Sequence, residues 1–274
     1  MKLIHFTDIH LTAPGKTIAG RDPNENFERA LAHCLADHAD AEALIITGDL
    51  SDWGERDDYE RLKNRLGHLP FPAHLCIGNH DDRDTFLTVF PELADENGFV
   101  QTVFPVSQGR CITLDTWGPE THAGHFCEQR LSWLNARLAE ADEPAFLFMH
   151  HNPAPTGIAP MDRIMLQDAD AFGDVVARHR DRIAHIFFGH CHLPLSGSFR
   201  GVPMSAPRGT NHAGWPSFGE QHLLSSSDLP ESYAVVLTDA QSVMVQMVEF
   251  GYSGPIRIEG SPDYADWDKE TMAR

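Results

Sequence analysis

Eight acid, amide and imidazole side chains each follow a short apolar run of the chain, where they could bind metal ions or transfer protons. In chain order they are Asp8 and His10 in FTDIH, Asp49 in TGDLS, Asn79 and His80 in GNHD, His150 in FMHH, and His190 and His192 in GHCH. The preceding runs LIHF, ALIIT, AHLCI, AFLFM and HIFF are bounded by Gly, Asp and Asn, a pattern that predicts buried strands. Because parallel strands deliver the residues that follow them to one edge of a sheet, we expect these side chains to meet in one crevice.

The residue types and spacings in this set favour a site for more than one metal ion. Asp8 and His10 are two positions apart, so both can reach one ion where the strand opens into a loop. Asp49 follows a glycine that allows close backbone approach, and its two carboxylate oxygens can bridge two ions. Mixed imidazole and carboxylate ligation suits Fe, Mn, Zn or Co better than Ca or Mg.

Helical periodicity separates the predicted strands and indicates the fold class. Apolar residues recur at helical spacing over residues 24–40, 56–68, 128–140 and 168–179. Strands that alternate with helices of this length predict an α/β fold, with sheet layers covered by helices.

The character of the chain changes after residue 205, which suggests a catalytic core over 1–205 and a C-terminal part over 206–274. Residues 206–230 are rich in Pro, Gly, Ser and His and are predicted to form a loop. SYAVVLTDA and SVMVQMVEF then predict a hairpin that turns at Asp239–Gln241. The tail from residue 251 carries Tyr252, Tyr264 and Trp267, so we expect it to pack on the core or on a neighbouring subunit.

Composition limits the partners that the protein can have. A formal net charge of -19 argues against binding to nucleic acid polymers or to an anionic membrane, both of which require a basic surface. The apolar runs are too short to cross a bilayer and no signal peptide is visible, so a cytoplasmic location is expected. The five cysteines form no CxxC pair, and Cys191 is expected to point away from its histidine neighbours rather than to bind metal.

These blocks resemble the calcineurin-like metallophosphoesterases, whose pattern D-x-H, G-D-x-x-x-x-G, G-N-H-[DE], H-H and G-H-x-H is matched by DIH, GDLSDWG, GNHD, HH and GHCH. The resemblance covers roughly residues 1–215. It implies a four-layer αββα sandwich of two mixed sheets with a small C-terminal hairpin cap, and two divalent or mixed-valence ions. By position, Asp8, His10, Asp49 and His192 would bind one ion, and Asp49, Asn79, His150 and His190 would bind the other.

Within this family, FMHHNP and GTNH resemble the class III cyclic nucleotide phosphodiesterases and the bacterial glycerophosphodiesterases. The resemblance implies hydrolysis of small phosphodiesters by in-line attack of a metal-bridging hydroxide. It also implies a homo-oligomer in which the C-terminal part forms the rim of the site.

The residues beside the metal ligands are expected to act on the substrate. His80 would be the general acid or stabilise charge on the phosphate, and Asp81 would orient His80 or its loop, or simply cap the turn. His212 could contact the phosphate, hydrogen-bond a ligating group or be an ordinary loop histidine. Asp52 is a candidate substrate contact because an extra carboxylate could recognise a hydroxyl or repel a phosphate. His151 is expected to support a ligand rather than to be one.

Three other functions are the alternatives to a phosphodiesterase. A phosphomonoesterase, either a nucleotidase or a protein phosphatase, would share every block and differ only in the shape of its pocket. A non-catalytic scaffold predicts missing ligands, and none of the expected ligands is missing. A redox metalloprotein would need cysteine or tyrosine ligands, which the blocks do not supply.

Overall fold

A computed structural model describes residues 1–219 and 222–256. Its strands and helices follow one another much as the apolar pattern predicts. The strands are β1 (Lys2–Phe6), β2 (Ala43–Thr47), β3 (Ala73–Cys76), β4 (Thr102–Val106), β5 (Gly109–Thr113), β6 (Ala145–Phe148), β7 (Ile183–Phe187), β8 (Leu195–Phe199), β9 (Val202–Ala206), β10 (Ala213–Gly214), β11 (Ser226–Ser227), β12 (Tyr233–Thr238) and β13 (Val243–Val248). The α-helices are α1 (Pro23–His38), α2 (Arg56–Leu66), α3 (Arg83–Val89), α4 (Glu128–Ala139), α5 (Ala159–Asp162) and α6 (Ala169–Arg178), with a 3-10 turn at Pro91–Leu93.

Two mixed sheets form the centre of the molecule. The first has the strand order β13-β12-β1-β2-β3, in which β1, β2 and β3 are parallel and β12 runs antiparallel to β1. The second has the order β4-β5-β6-β7-β9-β8, with β5, β6, β7 and β9 parallel. All five strands predicted to precede the functional residues are therefore parallel strands inside these sheets.

Three apolar clusters define four layers. The faces of the two sheets meet around Leu3, Ile45, Phe146 and Phe187, which are fully or almost fully buried. On its outer face the first sheet packs against α1, α2 and α3, and the second sheet packs against α4 and α6. The predicted α/β sandwich of two mixed sheets flanked by helices is confirmed.

The predicted C-terminal hairpin forms, but it is not a separate cap. Val236 of β12 pairs with Leu3 of β1, and β13 continues the same sheet to its edge. The reason lies in the sequence YAVVLT, where five of the six residues are buried. Tyr233 and Val235 face the helices while Val236 faces the second sheet, and a strand that is apolar on both faces needs cover on both sides.

The structure describes the chain only as far as residue 256, apart from the gap at 220–221. The predicted packing of the tail, including Tyr264 and Trp267, lies outside the described residues. Within them, every helix is too short or too polar to cross a bilayer. Cys34, Cys76, Cys111 and Cys191 are buried free thiols, and Cys127 is exposed.

Candidate metal centre

The eight residues singled out in the sequence lie in loops that follow β1, β2, β3, β6 and β7, at the carboxyl ends of parallel strands from both sheets. Backbone hydrogen bonds join these loops directly. Asp8 N donates to Gly48 O at 3.1 Å within the first sheet, and Gly189 N donates to His150 O at 2.9 Å within the second. The two sheets meet here closely enough that a Cβ at Gly189 would collide with the side chain of Thr7.

Five of the proposed ligands have a left-handed backbone, which is rare for residues with a side chain. Their φ angles are 54° at Asp8, 47° at His10, 49° at Asp49, 67° at His190 and 51° at His192. Such conformations cost roughly 1–3 kcal/mol each and persist when surrounding contacts enforce them. These five residues lie in the three loops after β1, β2 and β7, and such clustering of strained residues is typical of a functional site.

The first set of predicted ligands converges on one point between the sheets. Nε2 of His10 lies 3.2 Å from Nε2 of His192. Asp49 Oδ2 lies 3.6 Å from the same His10 nitrogen, and Asp8 Oδ1 lies 3.5 Å from Nε2 of His192. The four donor atoms lie within 4.8 Å of one another, a spacing that one metal ion can bridge.

The second set converges beside it and shares Asp49. Oδ1 of Asp49 lies 3.3 Å from Nε2 of His150, which in turn lies 3.1 Å from Oδ1 of Asn79. The His190 ring completes the group, with its centroid 5.1 Å from that of His150. Asp49 therefore directs one oxygen at each set, as a bridging ligand requires.

Hydrogen bonds on the outer side of the rings fix which nitrogens carry protons. Nδ1 of His150 donates to Thr47 O at 2.7 Å, and Nδ1 of His192 donates to His212 O at 2.9 Å, because a carbonyl oxygen can only accept. In the neutral rings, Nε2 is then unprotonated and its lone pair points inward. Nε2 of His190 is buried and has no hydrogen-bond partner among the described residues. A bound cation would accept these inward lone pairs, including the one on the unpaired nitrogen of His190. The donor set therefore fits two metal ions.

The electrostatics of these side chains lead to the same conclusion. Burial alone would raise the pKa of the Asp49 carboxyl, but the neighbouring His150, His80 and His10 hold that pKa well below its usual value. Burial likewise lowers the pKa of His150, yet the Asp49 carboxylate outweighs it and brings the His150 pKa to about 9. The Asp49 carboxylate is thus stabilised by positive charge around it, and a bound metal ion would supply such charge.

His80 and Asp52 lie together at the side of the first ligand set. Nδ1 of His80 donates to the main-chain oxygen of Asp52 at 2.9 Å, which leaves its Nε2 free. The carboxylate of Asp52 accepts from Nδ1 of His10 at 3.0 Å. Asp52, predicted to contact the substrate, thus directs one oxygen at the back of a ligand ring, although it also lines the cavity described below.

Asp81 points away from the cavity and ties the loops together. Its carboxylate accepts from the backbone nitrogens of Leu50, Ser51 and Gly78 and from the hydroxyl of Tyr59, at 2.8–3.1 Å. Burial raises the pKa of Asp81 to about 6. These contacts do not support a part for Asp81 in the reaction itself. They favour the alternative in which it holds the turn.

His212 and His151 flank the two ligand sets. The His212 ring stacks on His192 with centroids 4.1 Å apart, and burial followed by the charge of the histidines around it lowers its pKa strongly. Both nitrogens of the His151 ring are engaged, Nδ1 with Thr116 Oγ1 at 2.8 Å and Nε2 with His122 O at 3.3 Å. The donor nitrogens of His151, His150 and His190 nevertheless lie within 4.8 Å of one another, so the supporting role of His151 stays a prediction.

Sequence reasoning overlooked His122. Its Nδ1 accepts from Nδ2 of Asn79 at 2.9 Å, which turns the amide oxygen of Asn79 toward His150. The ring lies 5.4 Å from that of His80 and lines the cavity. His122 is exposed and lies in an irregular loop outside any recognised block, so no local pattern marks it beyond the histidine itself.

A cavity of about 580 Å³ opens above the metal centre. Its floor contains His10, Asp49, Asn79, His80 and His190, and its walls come from α5 and from the loop between β10 and β11. This volume lies in the range typical of small-molecule sites.

Comparisons with known proteins test the family resemblance. The family model described as calcineurin-like phosphoesterase matches residues 1–194, which confirms the resemblance drawn from the sequence blocks. The chain is 40% identical over 262 residues to a probable cyclic nucleotide phosphodiesterase of Rhodopseudomonas palustris, covering 93% of this chain and 95% of the relative.

Two further matches are more distant. A glycerophosphodiester phosphodiesterase of Enterobacter lignolyticus is 27% identical over 218 residues, covering 77% of this chain and 78% of the relative. Among solved structures, a dimetal phosphatase from Danio rerio superposes with a TM-score of 0.70 at 15% identity, covering 91% of this chain and 96% of that one. At that identity the structural match supports the fold alone.

Proposed function

The chain belongs to the calcineurin-like phosphoesterase family, and we propose that it hydrolyses small phosphodiesters at a dinuclear metal centre. The observation that carries the proposal is the Asp49 carboxylate, whose two oxygens face two separate sets of inward-pointing donors. Asp8, His10, Asp49 and His192 would hold one ion, and Asp49, Asn79, His150 and His190 the other.

The reaction would combine this centre with protein groups that handle the leaving group. Two bound cations would lower the pKa of water and neutralise the negative charge of the phosphate. His80 presents a free Nε2 to the cavity because its Nδ1 is committed to Asp52 O, so in its protonated form it can donate to the leaving oxygen. Nδ2 of Asn211 donates to Nδ1 of His212 at 3.2 Å. Nε2 of the neutral His212 ring then carries the proton, which it can donate to a phosphate oxygen.

A diester suits the cavity better than a monoester. The cavity extends from the metal centre along α5 and the loop between β10 and β11, which leaves room for a second ester substituent. The names of the relatives point the same way, since they include a cyclic nucleotide phosphodiesterase and a glycerophosphodiester phosphodiesterase. We propose a substrate of one of these two types.

The test compares a diester with a monoester that has the same chromophore. Metal-depleted protein is reloaded with Mn, Fe, Zn or Co and assayed on bis(p-nitrophenyl) phosphate and on p-nitrophenyl phosphate at one pH. We expect faster hydrolysis of the diester with at least one metal and none with the Asp49→Ala variant. Faster hydrolysis of the monoester with every metal would favour a phosphomonoesterase instead.

Three further features belong to the same proposal. The native metals would be drawn from Fe, Mn, Zn and Co, the ions suited to mixed imidazole and carboxylate ligands. A homo-oligomer and a cytoplasmic location are the expected assembly and place of action. Size-exclusion chromatography with light scattering and cell fractionation test the last two.

A further inference from the structure

One wall of the cavity is apolar, although the floor carries the metal centre. Helix α5, with the residues on either side of it, and the loop between β10 and β11 supply its side chains. They are Ile158, Met161, Ile164, Trp215, Leu223 and Leu224. Ile158 and Met161 are buried, whereas Trp215 is 51% exposed, Leu224 52% and Leu223 79%. Large apolar side chains left exposed around a cavity are typical of a surface that a ligand covers.

Hydrogen bonds hold this wall in position. The amide of Trp215 donates to Ser225 O at 2.8 Å, next to the short ladder in which Gly214 pairs with Ser226. On the other side Nη2 of Arg163 donates to His222 O at 2.9 Å, which ties the loop to the end of α5. The apolar surface is therefore formed before any substrate arrives, and a ligand need not order it.

The charge of the lining limits the chemistry of what can bind. Among the described residues that line the cavity, Arg163 is the one lysine or arginine. A cationic group bound beside that guanidinium would be repelled by it, whereas a neutral group would not be, and the carboxylates of Asp49 and Asp52 lie at the floor rather than on this wall. Ser217 and Ser226 also line the cavity, and their hydroxyls can hydrogen-bond the nitrogen and oxygen atoms at the edge of a heterocycle.

We propose that this wall binds one ester substituent of the substrate and selects a neutral, flat, largely apolar group such as the base of a nucleoside. Trp215 is the main determinant, because its indole offers a face on which a base can stack. Cationic substituents such as choline are disfavoured. The inference rests on the proposed function, since it concerns the substituent of a phosphodiester cleaved at the metal centre.

Three chromogenic diesters with one leaving group test it. They are thymidine 5′-(p-nitrophenyl phosphate), methyl p-nitrophenyl phosphate and p-nitrophenyl phosphocholine, assayed on the metal-loaded protein. We expect kcat/KM to be highest for the thymidine ester. Trp215→Ala should lower kcat/KM for that ester by about tenfold, the loss of one stacking contact, and leave the methyl ester within about twofold. Leu223→Ala should give a smaller loss with the same selectivity.

Phe218→Ala is the matched control, because Phe218 is a 73% exposed aromatic residue of the same loop that does not line the cavity. It should change none of the three values. Equal losses on the thymidine and methyl esters in Trp215→Ala, or equal hydrolysis of all three esters by the unmodified protein, would overturn the inference. Failure to hydrolyse any of the three esters would instead count against the proposed function.

Discussion

Three of the histidines that face the metal centre are held from behind by an oxygen atom. Asp52 Oδ1 holds His10, Thr47 O holds His150 and His212 O holds His192, at 2.7–3.0 Å. Each bond fixes both the tilt of the ring and the nitrogen that carries the proton. Pairs of this kind also raise the basicity of the inner nitrogen, so they tune the strength of metal binding.

Among these three oxygen atoms, the one on Asp52 belongs to a side chain and can be changed by substitution. Asp52→Asn removes the charge behind His10 but keeps the main-chain oxygen that holds His80. We expect metal affinity to fall by about 10- to 100-fold, measured by competition with a chromogenic chelator. Asp57→Asn, at an exposed site at the start of α2, is the control. Unchanged affinity together with a raised KM would instead make Asp52 a substrate contact.

His80 should affect turnover without affecting metal content. Its ring donates to Asp52 O and is not needed to complete either ligand set, so His80→Ala should keep both metals. Loss of a general acid should lower kcat on bis(p-nitrophenyl) phosphate by about 100- to 10,000-fold. Elemental analysis and steady-state kinetics measure the two effects, with the exposed His68→Ala as control. Near-normal kcat in the His80 variant would rule out its catalytic role.

The strands that carry the ligands were predictable, whereas their partners in the sheets were not. AFLFM and HIFF are short apolar runs followed directly by His and by Gly. The local sequence therefore indicates both that these strands are buried and that polar residues follow them. Strands β4 and β8 escaped prediction because TVFPV contains Pro105 and LSGSF is mostly small and polar. Both are edge strands, where a missing donor or a solvated face is tolerated.

Long-range pairing explains the other differences between prediction and structure. Nothing local in YAVVLT says that β12 lies beside β1, because the pairing of strands so distant in sequence depends on the whole sheet. The contact between His122 and Asn79 is likewise set by where a loop of the second sheet meets a loop of the first. The proposed ligands could be picked out from the sequence because each of them follows a short apolar strand.

The loops after β2 and β3 depend on Asp81. Asp81→Ala would leave the amides of Leu50, Ser51 and Gly78 buried without an acceptor. We expect the free energy of unfolding to fall by roughly 3 kcal/mol in urea titrations. Asp174→Ala, exposed on α6, should change it by less than about 0.5 kcal/mol. A comparably small change in the Asp81 variant would mean that these loops do not need its carboxylate.

The interface between the sheets contains a histidine that should make the fold sensitive to acid. His5 is fully buried beside Phe148 and Phe187, and burial followed by the charge of His185 lowers its pKa from 6.5 to about 3. Between pH 6.5 and about 3, His5 is therefore protonated in the unfolded chain but not in the folded protein. Stability falls as the pH decreases toward 3, by about 2 kcal/mol between pH 6.5 and 5 from this residue.

His5→Leu should remove this dependence. Urea titrations at pH 7 and pH 5 should show a smaller loss of stability in the variant than in the unmodified protein, whatever its stability at pH 7. The exposed His68→Leu should keep the original loss. An identical loss in all three proteins would show that His5 is not the group that titrates.

At the scale of the whole molecule, the metal centre joins the two halves of the sandwich. Asp8, His10, Asp49 and Asn79 follow strands of the first sheet, and His150, His190 and His192 follow strands of the second. Ions bound here would contact both sheets at once. They would bind the folded protein and not the unfolded chain, so they should stabilise the fold by mass action.

Removal of metal should therefore lower the melting temperature. At a free metal concentration of about 100 times the dissociation constant, the stabilisation is about 2.7 kcal/mol, which corresponds to several degrees. Differential scanning fluorimetry with a chelator and with added Mn or Zn measures the shift. The Asp49→Ala variant should show little of it. An equal shift in that variant would place the stabilising ions elsewhere.

The left-handed loops of Asp8 and His10 also bear on how the protein is made. These residues are synthesised well before their partners, because His10 faces His192, which lies 182 positions later, and β1 pairs with β12, which begins only at Tyr233. At about 5–20 residues per second, the first strand waits on the order of ten seconds or more for its partners. The two proposed ligand sets can therefore come together only after His192 has been synthesised, so metal binding has to follow synthesis of the strands of both sheets that carry them.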